Sequence, residues 1–444
     1  MTSIQKIKKV PADQKINICW LRRDLRLADN AAMYHALKEG HQVLLLFIFD
    51  RHIIDKLADR KDARVTFIHA TLAKLQTELK KCGSSILVEI GIPQEIWPAL
   101  LKQYQVNAVY ANHDYEPYAK ERDDSLAEFL SSEQIPFHTF KDQVIFEKSE
   151  VVKADGKPYT VFTPYYRQWL NKLEPFFTKS YPTEKYLKNL IQTEVLPFPS
   201  LAEIGFQEAE QKFPDQSFAQ KLSEYNKYRD YPAIDATTRL GLHLRFGTIS
   251  IRAVVQEAML QKADKWLSEL AWREFYMMIL WHFPQIVNQA FKPAYDRIEW
   301  RNNIQEFQAW CEGKTGYPIV DAGMRQLNET GFMHNRVRMV VASFLCKHLL
   351  IDWRWGEAYF AEKLLDYEQA SNVGGWQWAC GSGNDAAPYF RVFNPALQLK
   401  KFDPKMEYVY KWAPEYQLAV HPTPIVDHNF ARERILKAFK KALA

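Results

Sequence analysis

The sequence predicts an α/β N-terminal domain built on a doubly wound parallel sheet, followed by a larger all-α C-terminal domain. Three observations carry this. Short apolar runs alternate with helical patterns from about Ile16 to Phe140, a proline-marked irregular stretch follows, and from about 206 the apolar spacing is helical with few strand signals. The strand candidates are INICW at 16, QVLLLFIFD at 42, SSILVEI at 84, VNAVYA at 106 and IPFHTF at 135. Helical patterns lie between them, such as Ala63 to Lys81 with Phe67, Leu72, Leu75 and Leu79. Strands alternating with helices form parallel sheets covered on both faces, which bind ligands at the carboxyl ends of their strands. Neither GxGxxG nor GxxxxGKS/T occurs in this half, so a dinucleotide or triphosphate held in the usual way is not expected there. The expected boundaries are 15–140 for the α/β domain, 141–205 for an interdomain linker and 206–444 for the helical domain. Pro158, Pro164, Pro175, Pro182, Pro197 and Pro199 mark the linker.

Composition narrows the class. A chain of 444 residues needs more than one core, and 47% hydrophobic with 25% charged residues is an ordinary globular balance. The 14% aromatic content, with 13 tryptophans, points to rings that stack on something or line a site. A net charge of +5 permits a polyanionic partner without demanding one. Cys19, Cys82, Cys311, Cys346 and Cys380 are odd in number and scattered, with no CxxC, which argues against a disulfide framework or a zinc site, and no metal is expected. That usage fits a reducing compartment. The N-terminus lacks the apolar core of a secretory signal, and VLLLFIF from Val43 is too short to span a bilayer. The expectation is a soluble, cytoplasmic monomer with no membrane association and no obligate protein partner.

The stretch from Asp366 to Pro395, DYEQASNVGGWQWACGSGNDAAPYFRVFNP, sets Trp376, Trp378, Tyr389, Phe390 and Phe393 among four glycines. Rings beside residues without side chains suit a planar guest; the blander reading is a core segment broken by glycine. In KWLSELAWREFY, the side chains of Trp266, Glu269, Trp272, Arg273 and Tyr276 fall within an arc of about 120° on one helix, opposite Leu267, Ala271 and Phe275. One face thus offers two indoles, a carboxylate, a guanidinium and a phenol. The plainer account is an amphipathic helix with a Glu269–Arg273 pair at i, i+4. In MHNRVRM, Asn335, Arg338 and Met339 share a helical face: an edge-reading amide, a charge to balance an anion or pair with an acid, and a soft apolar filler. In DATTRLGLHLRFGTIS, Thr237, Thr238 and Arg239 stand where a turn can lead into a helix near Leu240, an anion site or simply an N-cap.

Taken together, these segments resemble the DNA photolyase/cryptochrome family, most closely the microbial, class I cyclobutane pyrimidine dimer photolyases. The resemblance spans nearly the whole chain: WLRRDLRLADN from Trp20, YPAIDATTRL, ELAWREFY, EGKTGYPIVDAGMRQLNETGFMHNRVRM, LLIDWRWGE and the closing FNP occur in the family's order. It implies an α/β antenna-type domain and a helical domain that holds FAD and meets UV-damaged DNA with the dimer flipped out. For FAD it implies Tyr225, Thr237, Thr238, Arg239 and Leu240 around the phosphates, and Trp266 and Arg273 closing the cavity. Asn335, Arg338, Asp366, Glu368 and Asn372 would line the flavin, with Arg338 paired to Asp366. Glu269, Trp272, Asn335, Arg336, Met339 and Trp378 would face the lesion. Trp376, Trp353 and Trp300 would pass an electron inward from the surface. Glu269, in aromatic surroundings, is expected uncharged and able to donate a hydrogen bond.

An antenna chromophore (folate, deazaflavin or a second flavin) is compatible with the resemblance, and Glu116 aligns with a glutamate used by folate-antenna members. Candidates for DNA phosphate contacts are Arg336, Arg391, Lys400 and Lys401. Three departures stand out: Glu368 where aspartate is usual, Gly241 in place of a serine, and ACGSGND in place of AASTGTD. Two relatives of different function are weighed. A (6-4) photolyase carries paired histidines where His334 and Asn335 stand; a signalling cryptochrome often carries a long polar tail, whereas this sequence ends soon after NFARERILKAFKKAL.

Overall fold

The computed structural model describes residues 14–386, 388–418 and 421–444, and divides them between two compact units. The first holds a five-stranded, all-parallel sheet of β1 (Lys15–Leu21), β2 (Gln42–Asp50), β3 (Ile86–Gly91), β4 (Gln105–Asn112) and β5 (Phe137–Phe140), in the order β3-β2-β1-β4-β5. All five expected strands form. In β1 both the Ile16, Ile18, Trp20 row and the Asn17, Cys19, Leu21 row are buried, so both faces of the sheet are covered, as near-continuous apolar runs require. One face packs on Trp97 and Leu100 of the Pro93–Gln103 helix, with Trp20 and Trp97 edge to face at 5.6 Å.

The strand order reverses between β1 and β4, the place where such sheets usually leave a crevice. Here the crevice is filled by charge. Arg23 pairs with Asp114 at 3.0 Å, Arg22 with Asp123, and Arg245 with both oxygens of Glu116. Beside them Asp142, 1% exposed, receives Arg26 at 2.6 Å and Arg252 at 2.7 Å, while Asp29 also accepts from Arg252 at 2.9 Å.

That network explains why the units do not follow the expected contiguous boundaries at 140 and 205. Of the described residues, the first takes 14–147, 173–216 and 240–257, and the second 148–172, 217–239 and those from 258 onward. Segment 240–257 belongs to the sheet unit because Arg245 and Arg252 are the cations its buried carboxylates need. Segment 173–216 belongs there through Tyr181 N–H donating to Asp29 and Ile191 N–H to the Val43 carbonyl. The stretch 141–205 is not one linker: 141–147 and 173–205 fall in the first unit and 148–172 in the second.

The second unit is built of helices. Those that matter below are Phe162–Lys172, Leu222–Tyr228, Asp264–His282, Asn335–Ser343, Trp353–Lys363, Gln369–Cys380 and Pro395–Phe402. Among the described residues no helix is long and apolar enough to cross a membrane, and no cluster of three or more metal-binding side chains occurs.

Burial alone would push Asp142 up, but Arg26 and Arg252 hold its carboxyl below the usual range. Its stabilising contribution is therefore full above the unfolded-state pKa, near 4, and is lost as pH falls through the lower folded value. Asp142→Ala should cost about 3–5 kcal/mol in urea unfolding near neutrality, because two buried guanidinium groups lose their partner. The gap to the parent chain should narrow below about pH 4. Equal unfolding midpoints at pH 7 would contradict this.

Candidate functional site

The Asp264–His282 and Gln369–Cys380 helices approach unusually closely. A Cβ on Gly374 would meet the Tyr276 ring at 2.2 Å, so only glycine lets the two backbones sit at this spacing. The neighbouring Gly375 behaves differently: a Cβ there would meet nothing within 4 Å, because it faces a cavity. That cavity measures about 400 Å³, within the range of small-molecule sites. Its wall comes from the two helices just named, from Asn335–Ser343 and Trp353–Lys363, and from Arg229 after the Leu222–Tyr228 helix.

Ion pairs rim the cavity. Arg273 Nε meets Glu368 at 3.0 Å, Arg338 meets Asp366 at 2.9 Å, and Arg229 meets Glu269 in close contact, with Lys265 3.6 Å away. Beyond the helix, Arg273 thus pairs with Glu368 and Glu269 with Arg229, both from other segments. Glu269 lies between two cations, Arg229 and Lys265. Asn372 directs its amide nitrogen to Glu357, to the carbonyl at 3.0 Å and to Oε1 at 2.9 Å. Burial pushes the Glu357 carboxyl up. With its N–H groups so engaged, Asn372 keeps Oδ1 as the acceptor for a guest.

Of the expected cofactor residues, Arg273, Asn335, Arg338, Asp366, Glu368 and Asn372 line the cavity. Tyr225, Thr237, Thr238, Arg239, Leu240 and Trp266 do not. Trp266 is 4% exposed and stacks on Phe218 instead. Arg239 has a left-handed φ of 53° and pairs with Asp235 at 3.2 Å, while Thr237 offers its carbonyl to Lys221. The following helix begins at Gly241, and Leu240 falls in the first unit.

The expected lesion residues Glu269, Trp272, Asn335, Met339 and Trp378 also line the cavity. Arg336 instead lines a neighbouring groove of about 400 Å³ with Arg391, Lys401, Lys227, Phe393 and Phe402, whose edge Met339 and Trp378 share. Its guanidinium lies 4.3 Å from the Phe402 ring centre and pairs with Asp230 at 2.7 Å. Lys400 is exposed and does not line that groove. Trp376 reaches the cavity wall and, with Trp353, is almost fully buried; Trp300 is half-buried and packs edge-on against Phe439 at 6.2 Å. Glu116, the antenna candidate, has both oxygens taken by Arg245 within the sheet unit, so it serves there as an ion-pair partner. Sequence reasoning missed Arg229 and Glu357, which carry no motif of their own beyond ending or neighbouring quoted ones.

Residues 17–185 match the family described as DNA photolyase, and residues 266–421 the family described as the FAD binding domain of DNA photolyase. A deoxyribodipyrimidine photo-lyase of Halobacterium salinarum is 36% identical over 481 residues, covering 96% of this chain and 99% of its own length. The chain belongs to the DNA photolyase family. Two solved photolyases share the fold. A bacterial class III photolyase of Agrobacterium tumefaciens has a TM-score of 0.87 and 33% identity, covering 98% of this chain and 99% of its own. An archaeal photolyase of Sulfolobus tokodaii, described with two FAD molecules, has a TM-score of 0.82 and 33% identity, covering 96% and 99%.

The cavity suits the flavin end of FAD. A helix backbone bared at Gly375 lets a flat ring lie close, the Asn372 acceptor and the Arg273–Glu368 pair provide polar edges, and Trp376 and Phe360 supply apolar wall. Two neighbouring substitutions separate packing from occupancy. Gly374→Ala should destabilise the chain by about 1–3 kcal/mol through the clash with Tyr276. Gly375→Leu should leave the unfolding midpoint near the parent's while abolishing flavin absorbance in the purified protein. Parent-level flavin in Gly375→Leu would show that this cavity is not the flavin's place.

Proposed function

We propose that this chain repairs cyclobutane pyrimidine dimers in DNA with light, holding FAD and the extruded dimer in the one cavity. The observation that carries the proposal is that the polar set Arg273, Glu368, Asn372 and Asp366 lines the same cavity as Glu269, Trp272, Met339 and Trp378. When bound, FAD supplies the chemistry: its reduced form, excited by light, lends the dimer an electron that splits the ring and returns.

The chain's part is placement and electrostatics. A lesion inside a duplex must leave the stack, and photolyases are among the enzymes known to work by base flipping. Trp272 and Trp378 give the flipped pair aromatic walls, and Met339, unbranched and polarisable, adapts between them. Glu269, fixed between Arg229 and Lys265, offers its carboxyl group to a pyrimidine edge for hydrogen bonding. Asn335, at the start of its helix, offers an amide to a base edge. His334 is not a partner in this, since it is buried and its Nδ1 accepts the Arg336 N–H as a helix cap. That favours dimer repair over a (6-4) photolyase reading. Trp376, Trp353 and Trp300 are the proposed relay for an electron entering from the surface.

Outside the cavity, Arg336, Arg391, Lys401 and Lys227 line a groove with Phe393 and Phe402, a mixture of cations for phosphates and rings for exposed bases. A monomer working on cytoplasmic DNA is the proposed form. Expected outcomes follow. A dimer-bearing oligonucleotide incubated with the purified protein under blue light should be restored to unlinked thymines, with no restoration in the dark. Its binding should weaken steeply with added salt. Glu269→Ala should keep flavin but bind the dimer about ten- to hundredfold more weakly, the loss of one hydrogen bond to its carboxyl group. A yellow preparation that leaves dimers intact under light would refute the function.

A further inference from the structure

The tightest aromatic stack in the site involves a residue outside every motif quoted above. Phe162 lies face to face with Trp272, ring centres 3.8 Å apart and planes 10° off parallel. Tyr166, one turn along the Phe162–Lys172 helix, continues the stack on Phe162 at 5.5 Å. Trp272 is thereby covered on one face while it lines the cavity with the rest of its ring; Phe162 is 8% exposed and stands behind it, outside the cavity lining. Phe275 and Tyr276 brace the indole at 5.6 and 5.4 Å.

Phe162 is itself anchored. Its backbone N–H donates to Asp385 Oδ2 at 2.9 Å, and Asn384 Nδ2 donates to the Thr160 carbonyl at 3.0 Å. Both anchors lie in the ACGSGND segment that follows Trp378. The helix that bears Phe162 is clamped further along by Trp169 Nε1, which donates to the buried Glu274 carboxylate at 2.6 Å.

We propose that Phe162 is a positioning residue for repair: stacked on the hidden face of Trp272, it fixes the plane against which the flipped pyrimidine pair lands. The proposal rests on the lesion-facing role of Trp272 given above. A cyclobutane-linked pair is rigid and cannot adapt to a tilting indole, whereas a single pyrimidine can. A wall held in advance therefore favours the dimer over undamaged bases by removing an ordering cost from its binding. Asn384 and Asp385 couple this wall to the glycine-rich loop after Cys380.

The test measures dark binding of flavin-loaded protein to one oligonucleotide with and without a thymine dimer, for Phe162→Ala, Phe162→Tyr, Trp272→Ala and the Phe162→Ala/Trp272→Ala double variant. Phe162→Ala should keep flavin absorbance and affinity for undamaged DNA but lose about two- to tenfold in dimer affinity, the worth of one aromatic pair. Phe162→Tyr, which keeps the ring, should restore it. In the Trp272→Ala background, removing Phe162 should cost nothing more. Parent-level dimer affinity in Phe162→Ala beside a loss in Trp272→Ala would overturn the proposal, as would losses that simply add. Parent-level affinity in Trp272→Ala would instead remove the lesion-facing role, and the proposal with it. If Phe162→Ala does not fold, Asp385→Ala removes the anchor and keeps the ring; it should lower dimer affinity in the same direction, and an unchanged value would overturn the proposal.

Discussion

The site depends on one steric constraint, the contact of Gly374 with Tyr276. A methyl group at 374 would sit 2.2 Å from the ring, so the Asp264–His282 and Gln369–Cys380 helices can hold their spacing only with glycine there. Everything functional on those helices takes its position from that spacing. Trp272 and Arg273 precede Tyr276 on one; Asn372 and Trp376 flank Gly374 on the other. Packed interiors do not deform smoothly, so a small shift at this crossing would move all four groups together.

Charge in the cavity is arranged as pairs of moderate burial rather than as isolated ions. Arg273 with Glu368, Arg338 with Asp366 and Arg229 with Glu269 each join a cation to a carboxylate from another segment. Such pairs contribute little to net stability once desolvation is counted, but they hold side chains in one geometry. Glu368 fits this view. Its carboxylate meets Arg273 Nε at 3.0 Å from the segment just before the Gln369–Cys380 helix, while Glu269 meets Arg229.

The legible parts of this molecule are those in which function imposes a local pattern. The parallel strands show as apolar runs because both sheet faces are buried, and the residues of ELAWREFY and MHNRVRM show because a helix repeats every three or four positions. Their convergence on one cavity follows from those periods. What stayed hidden is what depends on distant partners. Arg229 carries no signal in KYRDYP that points to Glu269, forty positions away. Phe162 sits in a proline-marked stretch that reads as connector, yet it packs under Trp272. Thr237 to Leu240 contain a left-handed turn at Arg239 that their spacing does not announce. Glu116 meets Arg245, 129 positions away. In each case the sequence shows the chemical type and conceals the neighbour.

The interleaving of the two units has a consequence for how the protein is made. Asp29 and Asp142 leave the ribosome more than a hundred residues before Arg252, the guanidinium that binds both. Until then the sheet can assemble its strands but not settle its most deeply buried charges. Domains commonly complete folding in order of synthesis; here the amino-terminal half must wait, unfinished, for a segment translated after part of its successor has already emerged.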